Sequence, residues 1–308
     1  MARIQQLTVA QFDKLFPDED ACAAYLVARR WPDGIRCPRC GKSDKISAVT
    51  TMAFKWQCYS CSPDTGYRFS HIAGTIFENT NKPLREWFQV IHLMITSKKG
   101  ISALQVQRYM GFGSYKTAHY MCHRIRAGLM DEDFRKLIGI VEVDETLIGG
   151  DIGNKHVSVR RELRKAGRKL SGRSTDVNKT IVVGAVQRGG NVVARMIQKA
   201  SKAVLEDFVR QAVSDKVSMI CTDQYPGYFD LIRRGYFHRT VDHGREQYVV
   251  GAIHTQTIEG FWSILKRGMV GTFHKVSAKY LPLYVAEFEF RYNNRHNADI
   301  FGTAVGAC

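Results

Sequence analysis

GIVEVDETLIGG (residues 139–150) alternates apolar and polar positions and stops at a glycine pair, which reads as a β-strand ending in a turn. Asp144 falls near the end of that apolar strand. An ionised carboxylate there costs free energy unless a cation compensates it, so its neighbours decide its meaning. Downstream, KTIVVGAVQRGGNVVARMIQ (179–198) reads as a hairpin turned at Gly189-Gly190. SKAVLEDFVRQAVS (201–214) is an amphipathic helix starting near the cap Ser201. VSMICTDQYPGYFDLIRRG (217–235) reads as a buried strand, a Pro-Gly turn and a short helix, and FHRTV (237–241) as a further strand. HTQTIEGFWSILKRG (254–268) is the next helix, with Ile258, Phe261, Ile264 and Leu265 on one side.

Three strands, helix, strand, helix, strand, helix is the order of a ribonuclease-H-like α/β core, a mixed sheet flanked by helices, expected over residues 136–300. Three acids occupy matching places in it. Asp144 ends the first strand, Asp223 follows the fourth, and Glu259 lies in the first turn of the helix after the fifth. Acids brought together from separate elements repel, and a hard divalent cation resolves that. The chemistry implied is two-metal phosphoryl transfer: one ion activates the attacking water or hydroxyl, the other stabilises the leaving oxygen. Glu142, on the same strand face as Asp144, and Glu145, beside it, are accessory candidates.

A chain of 308 residues has room for two or three domains, and 44% apolar with 24% charged residues is a soluble globular composition. No apolar run reaches the roughly 18 residues of a membrane span, and the N-terminus mixes charge through its apolar positions. A cytoplasmic, nucleoid-associated protein with no membrane partner is expected. The excess of 45 Lys and Arg over 29 Asp and Glu, a net +16, favours a polyanionic partner, most often nucleic acid.

Residues 1–30 read as an N-terminal helical segment and 31–78 as a zinc ribbon. CPRC (Cys37, Cys40) and CYSC (Cys58, Cys61) are two C-x2-C knuckles with 17 residues between them. Four thiolates would close a structural Zn2+ site that supplies the folding energy of so small a segment. A disulfide pair is the alternative, disfavoured in a cytosolic chain. ISAVTTMAFKWQC (46–58) and YRFSHIAGTIF (67–77) read as its strands. The isolated Cys22, Cys122, Cys221 and Cys308 read as small buried hydrophobes or idle thiols.

Residues 79–135 carry helical spacing. Ser102 with Gln105 makes a capping-box pattern, Gly111 and Gly113 break the chain, and Ser114 starts a helix whose Ala118, Met121, Cys122 and Ile125 face inward. This reads as a helix-turn-helix presenting Tyr115, Lys116, His119 and His123 to a DNA groove; a plain helical hairpin is the alternative. The insertion 154–179 holds nine Lys or Arg against two acids with little apolar periodicity. It is expected to be a mobile DNA-clamping loop, with Arg160, Arg161, Arg164, Lys165, Arg168 and Lys169 on phosphates, or otherwise a solvated charge run. Of His238, His243, His254 and His274, only His243 and His254 are placed near the site, as phosphate contacts or structural partners.

From about Cys37 to Arg295 the chain resembles bacterial insertion-sequence transposases of the DDE type with an N-terminal zinc ribbon, the ISXO2-like group, relatives of the eukaryotic Merlin transposases. The resemblance rests on CPRC…CYSC, VEVDET, CTDQYPGY, HTQTIEGFWSILKRGMVGTFHKVSAKYL and EFEFRYNNR. It implies binding of double-stranded DNA, both transposon ends and target, by a homodimer or larger synaptic assembly. It implies Mg2+-dependent cleavage and strand transfer, with two Mg2+ per site and Mn2+ as a substitute. Asp144, which opens the matched DET, Asp223 and Glu259 would be the ligands. Lys266, seven residues after Glu259 and on its helix face, would hold DNA with Arg267. Gln256 stands where relatives usually carry Asn, and some of them use Asn as the third catalytic residue; here Glu259 is assigned the metal and Gln256 a supporting or substrate contact. A non-catalytic regulator derived from a transposase, and a nuclease without strand transfer, are the other readings.

Overall fold

The computed structural model describes residues 7–130, 134–149, 156–165, 179–241 and 254–308, apart from the side chains of residues 163 and 164. Residues 1–130 with 294–308 form one compact unit and residues 131–293 a second.

The first unit begins with α1 (Val9–Leu15) and α2 (Glu19–Arg30), whose N-termini are capped by the side chains of Thr8 and Asp18. A three-stranded antiparallel sheet follows: β1 (Ile46–Ala48), β2 (Lys55–Cys58) and β3 (Tyr67–Ser70). The stretch read as one strand over 46–58 is two, because pairing Ile46 with Cys58 requires the chain to fold back between them, with Phe54 at φ 55°. Likewise the strand expected over 67–77 stops at Ser70, where turn hydrogen bonds such as Thr75 N–H to Ile72 O take over and Gly74 adopts φ 74°. Trp31, Cys37, Cys58, Phe69 and Ala73 make this sheet's small core.

Next come α3 (Leu84–Thr96), α4 (Ala103–Met110) and α5 (Tyr115–Gly128). Ser102 Oγ accepts the Gln105 N–H to start α4, Gly111 ends it in the left-handed conformation, and Ser114 Oγ accepts the Lys116 N–H to start α5. The chain's last helix, α10 (Ile300–Ala307), packs on α2 and α3 in this same unit. Phe301 meets Phe12, Phe16, Tyr25 and Phe88 in an aromatic cluster with ring centroids 5.5–6.0 Å apart.

The second unit is built on β4 (Ile140–Ile148), β5 (Thr180–Gln187), β6 (Val192–Ile197), β7 (Met219–Asp223) and β8 (His238–Val241), in spatial order β6-β5-β4-β7-β8. β5 is antiparallel to both neighbours, whereas β4-β7 and β7-β8 are parallel. The sheet is mixed, as expected. α6 (Val157–Lys165) lies between β4 and β5, α7 (Lys202–Ala212) between β6 and β7, and a 3-10 turn, Pro226–Leu231, stands where a short helix was read. α8 (Gln256–Gly268) runs on into a π turn, Met269–Phe273, and α9 (Leu281–Asn293) closes the unit.

Strand alternation divides the core. Val141 and Val143 pack toward α7, while Ile258, Phe261, Trp262 and Leu265 of α8 pack with Val182, Val186 and residues of α9 on the opposite face. Gly184, paired with Asp144, admits α8 closely: a Cβ there would lie 2.6 Å from the Trp262 ring. The β6 edge is covered by α9. Asn293 accepts the Val192 N–H and donates to its carbonyl, and Glu289 accepts the Ala194 N–H.

Candidate active site

β4 and β7 pair in parallel with Glu142 opposite Cys221, and continuing that register brings Asp144 level with Asp223. Paired residues of parallel strands share a face, so both carboxylates project on the side covered by α8. Trp262 of α8 donates its indole N–H to Asp144 Oδ2 at 3.0 Å. Asp223 Oδ1 accepts the Tyr225 N–H at 3.0 Å. Burial above all, then the charges of Glu145 and Asp223, push the Asp144 carboxyl up to about 7. Glu145 is also raised, chiefly by burial, although Tyr228 steadies its charge by donating a 2.6 Å phenolic hydrogen bond to Oε2. Hard carboxylate oxygens with surplus negative charge around Asp144, whose carboxyl feels the charges of Glu145 and Asp223, are the donor chemistry that suits a divalent cation such as Mg2+.

Glu259 lies in the first turn of α8, exposed, with Oε1 accepting from Thr255 Oγ1 at 2.9 Å. Its carboxylate does not join Asp144 and Asp223 within 4.8 Å; among the described residues the four ribbon cysteines form the one group of three or more such ligands that close. Gln256 opens the helix, and Lys266 and Arg267 lie in its last turn; all three are exposed, and Arg267 Nε donates to Ser263 O.

Glu142 belongs elsewhere than among the acids around Asp144. It is fully buried, with Arg188 Nε 2.6 Å from Oε1 and the Thr257 and Ile258 N–H groups on Oε2. His254 Nδ1 lies 3.1 Å from the same carboxylate. His238 is buried on β8 with Nε2 2.8 Å from Thr222 Oγ1, and burial lowers it to about 4, so it is neutral and internally bonded. His274 is exposed and ends the π turn at φ 59°; His243 lies outside the described residues.

Cys37 Sγ is 3.6 Å from Cys61 Sγ, and Cys40 Sγ is 3.8 Å from Cys58 Sγ. Ligands about 2.3 Å from a tetrahedral ion stand roughly 3.8 Å apart, far beyond the ~2.0 Å of a disulfide. The cluster therefore fits Zn2+ and not a disulfide pair. A backbone hydrogen bond at Lys42, then the neighbouring sulfurs, lower the Cys40 thiol to about 7, whereas the Cys40 sulfur, then burial and the Cys37 and Cys58 sulfurs, raise Cys61 to about 12.

On α5, Tyr115, His119 and His123 stack along one face, with successive ring centroids 5.6 and 4.1 Å apart, and Lys116 is exposed beside them. Burial holds the His119 imidazole below its ordinary pKa. The basic insertion contains a helix where a mobile loop was expected. Residues 157–165 are dominated by Arg, Lys, Glu and Leu, good helix formers whatever their apolar spacing. Arg160 is half-buried on α6, Arg161 and Lys165 are exposed, Arg164 is on the same helix, and Arg168 and Lys169 lie outside the described residues.

Trp262, Tyr228, Arg188 and Thr257 were not singled out from sequence. The first three hid among apolar or basic neighbours; Trp262 had a signal, three residues after Glu259 and so on the same flank of α8.

Residues 136–293 match the family model described as the ISXO2-like transposase domain, and residues 17–63 match the transposase zinc-ribbon domain. The chain belongs to the ISXO2-like transposase family. A relative within reach of this transposase is described as an uncharacterized protein in transposable element ISH50, from Halobacterium salinarum. It is 28% identical over 282 residues, spanning 90% of this chain and 92% of its own. No helix among the transposase's described residues is long and apolar enough to cross a membrane.

Proposed function

We propose that the protein binds the terminal inverted repeats of an insertion sequence and catalyses Mg2+-dependent DNA cleavage and strand transfer. The observation that carries this reading is the placement of Asp144 and Asp223 at one level of adjacent parallel strands, facing the helix that bears Glu259. Strand order β6-β5-β4-β7-β8 with β5 reversed supports a ribonuclease-H-like core.

Asp144, Asp223 and Glu259 would hold two divalent ions, Glu259 closing on the other two when metal and DNA are present. The chemistry such ions supply is activation of the attacking water or 3′-hydroxyl and stabilisation of the leaving oxygen. Trp262 fixes the Asp144 carboxylate through Oδ2, and the Glu145 backbone N–H steadies it further. Tyr228 orients Glu145. Lys266 and Arg267 hold the DNA backbone beside α8, with Gln256 as a further contact, and Arg160, Arg161, Arg164, Lys165, Arg168 and Lys169 clamp phosphates from the insertion. α4 and α5 act as a helix-turn-helix whose Tyr115, Lys116, His119 and His123 read the ends, assisted by the zinc ribbon. Joining two ends calls for a dimer or larger assembly on DNA.

Pre-cleaved ends with a free 3′-hydroxyl test the reading. The wild type should join them to target DNA in Mg2+ or Mn2+, and Asp144→Ala, Asp223→Ala and Glu259→Ala should each abolish joining while still binding the ends. Nicking without joining would identify a nuclease, and end binding without any cleavage a regulator.

A further inference from the structure

The first-turn N–H groups of an α-helix need an acceptor, normally the side chain of the residue before the helix. In α8 that residue, Thr255, makes no such cap; its hydroxyl donates to Glu259 Oε1 instead. The acceptor comes from 115 residues away. Glu142 Oε2 takes the N–H groups of Thr257 at 2.8 Å and Ile258 at 3.0 Å, and Oε1 takes the Thr257 hydroxyl at 2.9 Å. Arg188 Nε, 2.6 Å from Oε1, balances the charge, and Arg188 Nη2 also donates to the His254 carbonyl just ahead of the helix. The carboxylate is 0% exposed, so it meets no solvent, and it faces these groups together with the His254 ring, whose Nδ1 lies 3.1 Å from Oε1.

From this exchange of caps we infer that Glu142 is a positioning residue of the transposase site. It stands two residues before Asp144 on the same face of β4 and grips the helix turn that carries Gln256 and Glu259. One buried carboxylate thereby sets the separation between the strand ligand and the helix ligand, and frees Thr255 to orient Glu259. Misplacement of a ligand by about 1 Å is worth roughly a hundredfold in rate, so this link governs whether the ligands can share an ion. The inference rests on the proposed metal-dependent reading for its catalytic consequence, though not for the anchoring itself.

The experiment uses the full-length protein with Glu142→Gln, Glu142→Asp and, as a control, Glu289→Gln, a second buried acid that serves β6 and not α8. Three quantities are read: end binding by gel shift, hydrogen exchange at residues 255–259, and Mn2+ half-saturation measured by titration. In Glu142→Gln, end binding should persist and exchange at Thr257 and Ile258 should accelerate tenfold or more. Mn2+ half-saturation should rise by about tenfold to a hundredfold, the usual cost of losing a group that orients metal ligands. Glu289→Gln, at a comparable loss of Tm, should change neither. Should Glu142→Gln fail to fold, Glu142→Asp, which keeps the charge and shortens the reach by one methylene, carries the same comparison. Unchanged exchange with unchanged Mn2+ half-saturation, or equal shifts in Glu289→Gln, would overturn the inference. A wild type that binds no Mn2+ would refute the metal-dependent reading instead, and the exchange data would still decide whether Glu142 holds α8.

Discussion

Replacing Asp144 by Asn should stabilise the magnesium-free protein, and by an amount set by pH. In the fold, burial and then Glu145 and Asp223 lift this carboxyl from 3.8 to about 7. In the unfolded chain it ionises near its ordinary value of about 3.9. Folding therefore takes up a proton between about pH 4 and pH 7, and each pH unit in that window costs about 1.4 kcal/mol. The penalty is absent below pH 4 and reaches about 4 kcal/mol above pH 7, an upper bound because water at this half-buried site screens part of it. Asparagine has no charge to bury, and its amide oxygen still accepts from the Trp262 indole. The variant should match the wild type near pH 4 and exceed it by about 2–4 kcal/mol at pH 8. Urea unfolding of the full chain, followed by hydrogen exchange in β4 and β5 peptides, reads this unit separately from the ribbon. The buffer is dialysed free of Mg2+ and Mn2+ without chelator, so that ribbon zinc is kept. A difference of the same size at pH 4 and pH 8, or a variant less stable than wild type at pH 8, would refute the reasoning. Millimolar Mg2+ should then stabilise the wild type and leave the variant unmoved.

Two further outcomes follow from the cysteine cluster and from α9. Cys58→Ser, or removal of zinc by a strong chelator, should unfold the β1–β3 sheet, because Cys58 is both a ligand and part of its small core; a Cys58→Ser protein that still carries one equivalent of zinc would argue against the site. Asn293→Ala removes two hydrogen bonds to Val192 and uncovers the β6 edge, so urea unfolding should show a loss of about 1–3 kcal/mol and light scattering a concentration-dependent self-association. Unchanged stability and scattering would show that α9 does not guard this edge.

The order of elements and the strand face shared by Glu142 and Asp144 were legible because period-2 and period-3.6 patterns are local. So were the zinc knuckles, whose spacing is itself the signal. The helix in the insertion has few apolar residues to mark it, Val157, Val159 and Leu163, and its remaining helix formers are charged. α10 carried no local sign of its destination, since the residues that bury Phe301 lie more than 200 positions upstream in α1, α2 and α3. The same distinction explains the acids of VEVDET. In sequence, Glu142, Asp144 and Glu145 are three carboxylates within four residues, and charge cannot rank them. The fold ranks them by what each one faces. Glu142 meets donors from Arg188 and from the start of α8, Glu145 meets a phenol, and Asp144 meets an indole and further acids. A carboxylate surrounded by donors is already satisfied and acts as structure; one facing other carboxylates still needs a cation. The donors arrive from residues 188, 228, 257, 258 and 262, so the distinction exists once the sheet has formed and not before it.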